Sequence, residues 1–186
     1  MDTFISYIKT YISLSAEAEN TIKELAKAIV FPKGTMLAEE GKTSRHLYYM
    51  ESGTVRTYLY QKGKDITHWI YPEGGMITSW HSYLLKKPST EYIEVTEESK
   101  LISLSYDDWQ ELYLKHPELE RFVRLMLEEQ IAAIDEFYKG YYFLSAKEKY
   151  ELLIAVFPSI TQRANLGHIA SMLGITQETL SRIRGK

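Results

Sequence analysis

The chain has 186 residues and not one cysteine. That excludes disulfides, thiolate zinc sites, cysteine-ligated iron–sulfur clusters, thiol redox sensing and cysteine nucleophiles together. No apolar run approaches the roughly 20 residues that a membrane-crossing helix needs. Met1 to Tyr11 lacks the basic segment and apolar core of a secretory signal. Proline is scarce, at five residues, and no internal repeat or low-complexity stretch appears. A cytoplasmic protein without a membrane partner is expected. The composition, 45% hydrophobic and 25% charged, is that of an ordinary globular domain.

The net charge of −3 is unevenly spread. From Lys139 onward, Lys139, Lys147, Lys149, Arg163, Arg182, Arg184 and Lys186 stand against only Glu148, Glu151 and Glu178. The last quarter is positive and the rest negative, which points to an anion-binding C-terminus.

Phe4 to Ile29 reads as helix, with Ser15 as an N-cap and Ala18, Ile22, Leu25 and Ile29 at spacings of three and four. From about Val30 to Ser105 the texture changes. Turns ending in Gly34, Gly41, Gly53, Gly63 and Gly74-Gly75 separate β-branched and aromatic runs such as Leu47-Tyr48-Tyr49-Met50, Val55 to Tyr60, and Ile66 to Tyr71. Short strands at this regular spacing predict a jelly-roll (double-stranded β-helix) barrel. Tyrosine is abundant, at 15 residues, and strand propensity accounts for it.

Helix returns at Tyr106, favoured by Asp107 and Asp108, and breaks at His116-Pro117. A long helix follows from about Pro117 to Tyr141. Leu119, Phe122, Met126, Ala133 and Phe137 form its apolar stripe, interrupted at Glu129 and Gln130. A single long helix between two domains predicts a symmetric homodimer seam along that stripe. Ser145 with Glu148 forms a capping box, with Leu152, Leu153, Val156 and Phe157 assigned to one face. The expected architecture is α+β: a barrel with an N-terminal helix (1–116), a dimerisation helix (117–143) and a winged-helix-like helix-turn-helix (144–186).

Leu166 to Lys186 carries the functional signal. Leu166, Ile169, Ala170 and Leu173 line one helix, Gly174 supplies a turn, and a second helix starts near Thr176 with Leu180 and Ile183 inward. Its outer face shows Gln177, Glu178, Ser181 and Arg182. These types suit base edges in the major groove: Arg pairs with guanine, Gln with adenine, and Glu accepts from cytosine. Thr176, Thr179, Arg184 and Lys186 suit phosphates. DNA with a pseudo-palindromic operator is the expected partner.

The run Ile169-Ala170-Ser171-Met172-Leu173-Gly174-Ile175-Thr176-Gln177-Glu178-Thr179-Leu180-Ser181-Arg182-Ile183 resembles the helix-turn-helix of the Crp/Fnr regulators, where a Glu-Thr pair is followed shortly by Arg. Phe31-Pro32-Lys33-Gly34, Glu40-Gly41 and Leu47 to Val55 resemble that family's effector barrel. The resemblance implies a transcription regulator, not an enzyme, with base contacts from Gln177, Glu178 and Arg182. It also implies RNA polymerase as a further partner and a small effector of unknown identity. On the same resemblance the effector pocket falls on Met76, Ser79, Trp80, Ser89, Thr90, Glu91 and Gln130. Members that bind cyclic AMP carry an arginine near the position of Thr90, whereas here Glu91 is acidic and no arginine is close. A cyclic phosphate needs a cation or aligned N–H donors, so cyclic AMP is not the expected effector. No cofactor is expected.

Two rivals use other chemistry. A cupin-like metal enzyme would need clustered ligands, but His46, His68, His81, His116 and His168 show no metal-binding spacing. A stand-alone ligand-binding module leaves the 166–186 helix pair without a role.

Overall fold

The computed structural model describes residues 1–185, and Lys186 lies outside them. The strands form two four-stranded antiparallel sheets. One has the order β1 (Lys27–Phe31), β8 (Ser99–Ser105), β3 (His46–Ser52), β6 (Met76–Ile77). The other runs β2 (Met36–Ala38), β7 (Tyr92–Val95), β4 (Val55–Gln61), β5 (Lys64–Tyr71). This is the expected jelly roll. Strand alternation sends Tyr48, Met50, Ile77 and Leu101 inward to meet Val55, Ile93 and Val95, while Leu47, Tyr49, Met76 and Ile102 face outward. Both faces of the first sheet are covered, which is why β3 and β8 read as nearly unbroken apolar runs.

The outward face is covered by helices. The N-terminal segment, expected as one helix to Ile29, is two: α1 (Asp2–Tyr11) and α2 (Ala16–Leu25). Ser15 caps α2 as expected, its Oγ accepting from the Ala18 amide at 3.1 Å. Ile29 instead belongs to β1, paired with β8 from Lys27↔Ser103 to Phe31↔Ser99. A full ladder of strand hydrogen bonds outweighs the small helical preference of one β-branched residue. A short helix, α3 (Trp80–Leu85), follows β6. Ser105 and Asp108 then form a capping box on α4 (Tyr106–Lys115).

Helix α5 (Glu118–Tyr141) departs from its expected role. Leu119, Phe122 and Met126 are fully buried against this chain's own helices. Phe122 meets Tyr7 and Tyr11 edge-on at 5.9 and 5.5 Å and stacks on Trp109 at 6.4 Å. Farther along, Phe137 packs on Trp69 of β5 at 5.2 Å. The first half of the stripe expected as a dimer seam is thus intramolecular core, whereas Phe137 is half-buried and Ala133 exposed. A second line, Leu127, Ile131, Ile134 and Tyr138, has the 4-3-4 spacing of a heptad, and its last three side chains are exposed.

The C-terminal unit comprises α6 (Ala146–Val156), α7 (Ile160–Arg163), α8 (Leu166–Leu173) and α9 (Gln177–Arg184), with no strand of its own among the described residues. Its core joins Tyr150, Phe157, Ile160, Ile169, Leu173 and Leu180 to Ile70 of the barrel. The Ser145–Glu148 capping box is present on α6. Its apolar residues do not share one face: Phe157 is buried, but Leu152 and Val156 are exposed.

Gly53, in the β3–β4 turn, has φ +101°, and a Cβ there would lie 2.7 Å from the Ser99 Cα. Gly53→Ala should therefore destabilise the protein by about 3 kcal/mol or more. Gly63→Ala, at φ +75° with open space around it, should cost only about 1–2 kcal/mol. Chemical denaturation of both variants checks the contrast.

Candidate nucleic-acid interface

The α8–α9 pair is set by local chemistry. Asn165 caps α8, its side chain accepting from the Gly167 amide at 2.7 Å. Gly174 closes the helix at φ +69°, the left-handed conformation that lets the chain turn sharply. Thr176 caps α9, accepting from the Thr179 amide at 3.2 Å. Leu180 is buried against α8, and this orients the rest of α9. Thr176, Gln177, Glu178, Ser181, Arg182 and Arg184 are exposed, and Thr179 is half-buried. Gln177 folds back over Gly167: a Cβ at that glycine would stand 2.5 Å from the Gln177 Nε2. Hydrogen bonds from its own backbone amide and from the Thr176 hydroxyl hold Glu178 below the usual carboxylate range. The expected phosphate contact Lys186 falls outside the described residues.

Much of the C-terminal positive charge is spent internally. Lys139 pairs with Asp135, and Lys147 with Glu151 at 3.5 Å. Arg163 bridges α7 to two barrel turns, reaching Glu97 at 2.6 Å and Glu73 at 2.8 Å. Among the described residues, Arg182 and Arg184 have no carboxylate partner, so α9 holds the free basic side chains on this face.

Helix α8 rests on β5, the open edge of the second sheet. The Thr67 amide of that edge donates to the Ser171 Oγ at 3.0 Å. Beneath lies Arg56, 5% exposed, donating to Glu94 Oε2 and Asp65 Oδ1, both at 2.8 Å, and to the Thr67 hydroxyl at 3.0 Å. Half-buried His168 on α8 is pushed below its usual 6.5 by burial and then by the Arg56 charge, with Asp65 and Glu94 opposing. Arg163, Ser171 and Thr67 escaped the sequence reading because nothing local distinguishes a docking arginine from a DNA-binding one.

The residues expected to form the effector pocket are only partly together. Ser79 and Ser89 are buried with their hydroxyls 3.0 Å apart, and the Ser89 Oγ also donates to the Glu91 carbonyl at 2.8 Å. The Glu91 carboxylate pairs with His68 Nε2 at 2.9 Å. Thr90 is exposed. Met76 faces away from the barrel interior, because Ile77 takes the inward position in β6. Half-buried Trp80 packs with Met76 in the helical layer, and Gln130 donates to Met126 Sδ on its own helix at 3.4 Å. Inside the barrel, Tyr71 is pushed up to about 12 by burial and by Glu91. Among the described residues, no three acidic or histidine side chains gather as a metal site.

Residues 28–116 match a known family, the cyclic nucleotide-binding domain. No curated protein matches the chain in sequence. The catabolite activator protein of Thermus thermophilus superposes with a TM-score of 0.59 at 18% identity, covering 94% of this chain and 84% of its own. FixK2 of Bradyrhizobium japonicum gives 0.69 at 14% identity, covering 86% and 83%. The chain has the Crp/Fnr fold. The c-di-GMP responsive global regulator CLP of Xanthomonas campestris shares this fold, with a TM-score of 0.68 at 13% identity over 92% of this chain and 90% of its own. The resemblance read from the helix-turn-helix motif is borne out at the level of the fold, over barrel, long helix and C-terminal helices together. Within the Crp/Fnr fold, α8 and α9 are the C-terminal helix pair and β3–β8 the body of the barrel. No helix among the described residues is long and apolar enough to cross a membrane.

Two outcomes follow for the seat of α8. Arg163→Ala should weaken docking by about 1 kcal/mol, read as faster hydrogen exchange at the Thr67 amide. Because His168 is held below 6.5, its neutral form is favoured in the docked state. Its contribution is then present above pH 6.5 and is lost as pH falls through the depressed value. His168→Gln, uncharged throughout, should flatten this acid loosening in the same measurement.

Proposed function

We propose that this chain is a cytoplasmic, sequence-specific DNA-binding transcription regulator of the Crp/Fnr type that acts as a homodimer and catalyses no reaction. The observation that carries the reading is the outward face of α9, where Glu178, Ser181 and Arg182 stand free on a helix fixed by Gly174, Thr176 and Leu180. Such a helix fits the major groove, and its exposed arginine suits the O6 and N7 of guanine. Gln177 would join the base contacts by swinging off Gly167. Thr176, Thr179, Arg184 and Lys186 would hold phosphates. The working units are the barrel with its N-terminal helices (1–116), the dimerising helix (117–143) and the helix-turn-helix unit (144–186). RNA polymerase is the further partner this reading implies.

The dimer seam is placed on Leu127, Ile131, Ile134 and Tyr138. Exposed apolar side chains at heptad spacing on a long helix are relieved by a second copy related by a two-fold axis. That symmetry presents two α9 helices to a pseudo-palindromic operator with half-sites about 34 Å apart. The barrel is assigned to an effector other than cyclic AMP. Glu91 and its His68 partner stand beside Ser89, where a phosphate would require unopposed positive charge or donors.

Arg182→Ala should cost about 1–3 kcal/mol at the preferred operator and relax specificity at one base pair, measured by competitive binding to operator variants. Equal losses on operator and random DNA would show that Arg182 does not read bases. Ile131→Asp combined with Ile134→Asp should give a folded monomer by light scattering, since both side chains are exposed in the single chain. An unchanged dimer would move the seam elsewhere. Calorimetric titration with millimolar cyclic AMP should give no saturable heat, and micromolar saturation would overturn the reading of Glu91.

A further inference from the structure

A groove of about 620 Å³ lies where barrel, α5 and C-terminal unit meet. Trp69 of β5, Phe137 and Tyr141 of α5, Leu152 and Val156 of α6, and Met172 of α8 wall it. The aromatic side is built by contact: Trp69 meets Phe137 edge-on at 5.2 Å, and Phe137 stacks on Tyr141 at 4.3 Å. On the opposite side Leu152 is 41% and Val156 71% exposed, so the apolar wall is open to solvent. Lys149 stands at the rim with its Nζ 4.5 Å over the Tyr141 ring. No carboxylate among the described residues lies within ion-pairing distance of it. The other charged groups on the rim are His68, already paired with Glu91, and exposed Glu136 on α5.

We infer that this groove binds an amphiphilic monocarboxylate, with its aliphatic or aromatic body against Trp69, Phe137 and Val156 and its carboxylate on Lys149. Sites for small molecules are concave, mostly apolar and fitted with a few polar groups that fix orientation, and they favour domain junctions. One cation without an ion-pair partner calls for one anionic head, and Glu136 disfavours a second. The groove lies outside the barrel interior and is open to solvent. A second copy is not the occupant, because Ala133 and Phe137 lie about 100° round α5 from Ile134 and Tyr138. A copy paired along the latter line leaves the groove beside it. A ligand here touches the barrel strand, the long helix and the DNA-binding unit at once. It would thus report to α9 through α8. The inference deepens the proposed function and rests on it for the effector role, but binding itself can be read without DNA.

The test is isothermal titration of the full chain with dodecanoate below its micelle concentration. Saturable binding is expected, weakened about tenfold or more by Lys149→Glu and abolished by Val156→Glu. Lys149→Glu should leave binding of neutral dodecanol within about twofold, since only the head-group contact is removed. Circular dichroism and thermal midpoints confirm folding of both variants, and Leu114→Asp, at an exposed position of α4 outside the groove, should bind as the parent does. No binding to the parent, or binding indifferent to Lys149→Glu and Val156→Glu, overturns the site. Binding that is weakened equally by Leu114→Asp is not confined to the groove and also overturns it. Operator affinity is then measured with and without dodecanoate. A chain that binds the amphiphile but no DNA keeps the site and discards the regulator, whereas DNA binding without the amphiphile does the reverse.

Discussion

Helix α5 must satisfy several neighbours with one circumference, and the rest of the molecule is arranged around how it does so. Its first half gives Leu119, Phe122 and Met126 to the layer of α1, α4 and the outer face of the first sheet. Phe122 sits among Tyr7, Tyr11 and Trp109, so the start of the helix is anchored by aromatic contact on several sides. Its second half leaves that layer and touches β5 through Phe137 and Trp69. A straight helix cannot bury every face, and the second half of α5 is largely exposed, including the apolar side chains of Ile131, Ile134 and Tyr138. Anchoring at one end and exposure along the other suit the dimerising role proposed for this helix.

The second junction is the edge of β5. An edge strand offers unpaired amides, and here Ser171 of α8 takes one of them from Thr67. Beneath it, the buried Arg56 guanidinium is held by Asp65 and Glu94. Removing one partner from such a cluster is costly, because the remaining charge is left buried. Arg163 adds two ion pairs from α7 to the barrel turns. These contacts are polar and directional, whereas the core between the units is small, with Ile70 the barrel's contribution to it. A seat of this kind sets the orientation of the C-terminal unit more than it adds stability. The open groove walled by Trp69, Phe137 and Val156 lies beside it, so whatever fills the groove presses on the same seat.

Most local structure was legible from residue types. Ser15, Ser145 and Thr176 cap helices through their own side-chain oxygens, and Gly174 turns between α8 and α9 with positive φ. These are short-range effects that depend on neighbours three or four positions away. The regular turns, the jelly roll and the face of α9 followed from the same kind of information. Ile29 was misplaced because its spacing fits a helix while its partner, Leu101, is far along the chain. Met126 and Phe137 were assigned to a dimer seam because periodicity marks an apolar stripe without saying which apolar surface meets it. Met76 and Ile77 are both apolar, and only the register of β6 against β3 decides which enters the barrel.

What the sequence determined by itself was the order of elements, their caps and turns, and the chemistry displayed by the final helix, since each rests on interactions within a few residues. Tertiary structure alone decided which stripe of α5 is core and that Arg163 is spent on Glu73 and Glu97. It also decided that Leu152 and Val156 line an open groove beside Trp69. An apolar or charged side chain fixes only the kind of neighbour it seeks. Which neighbour it obtains depends on segments brought together from tens of residues away, and that is settled only when the whole chain packs.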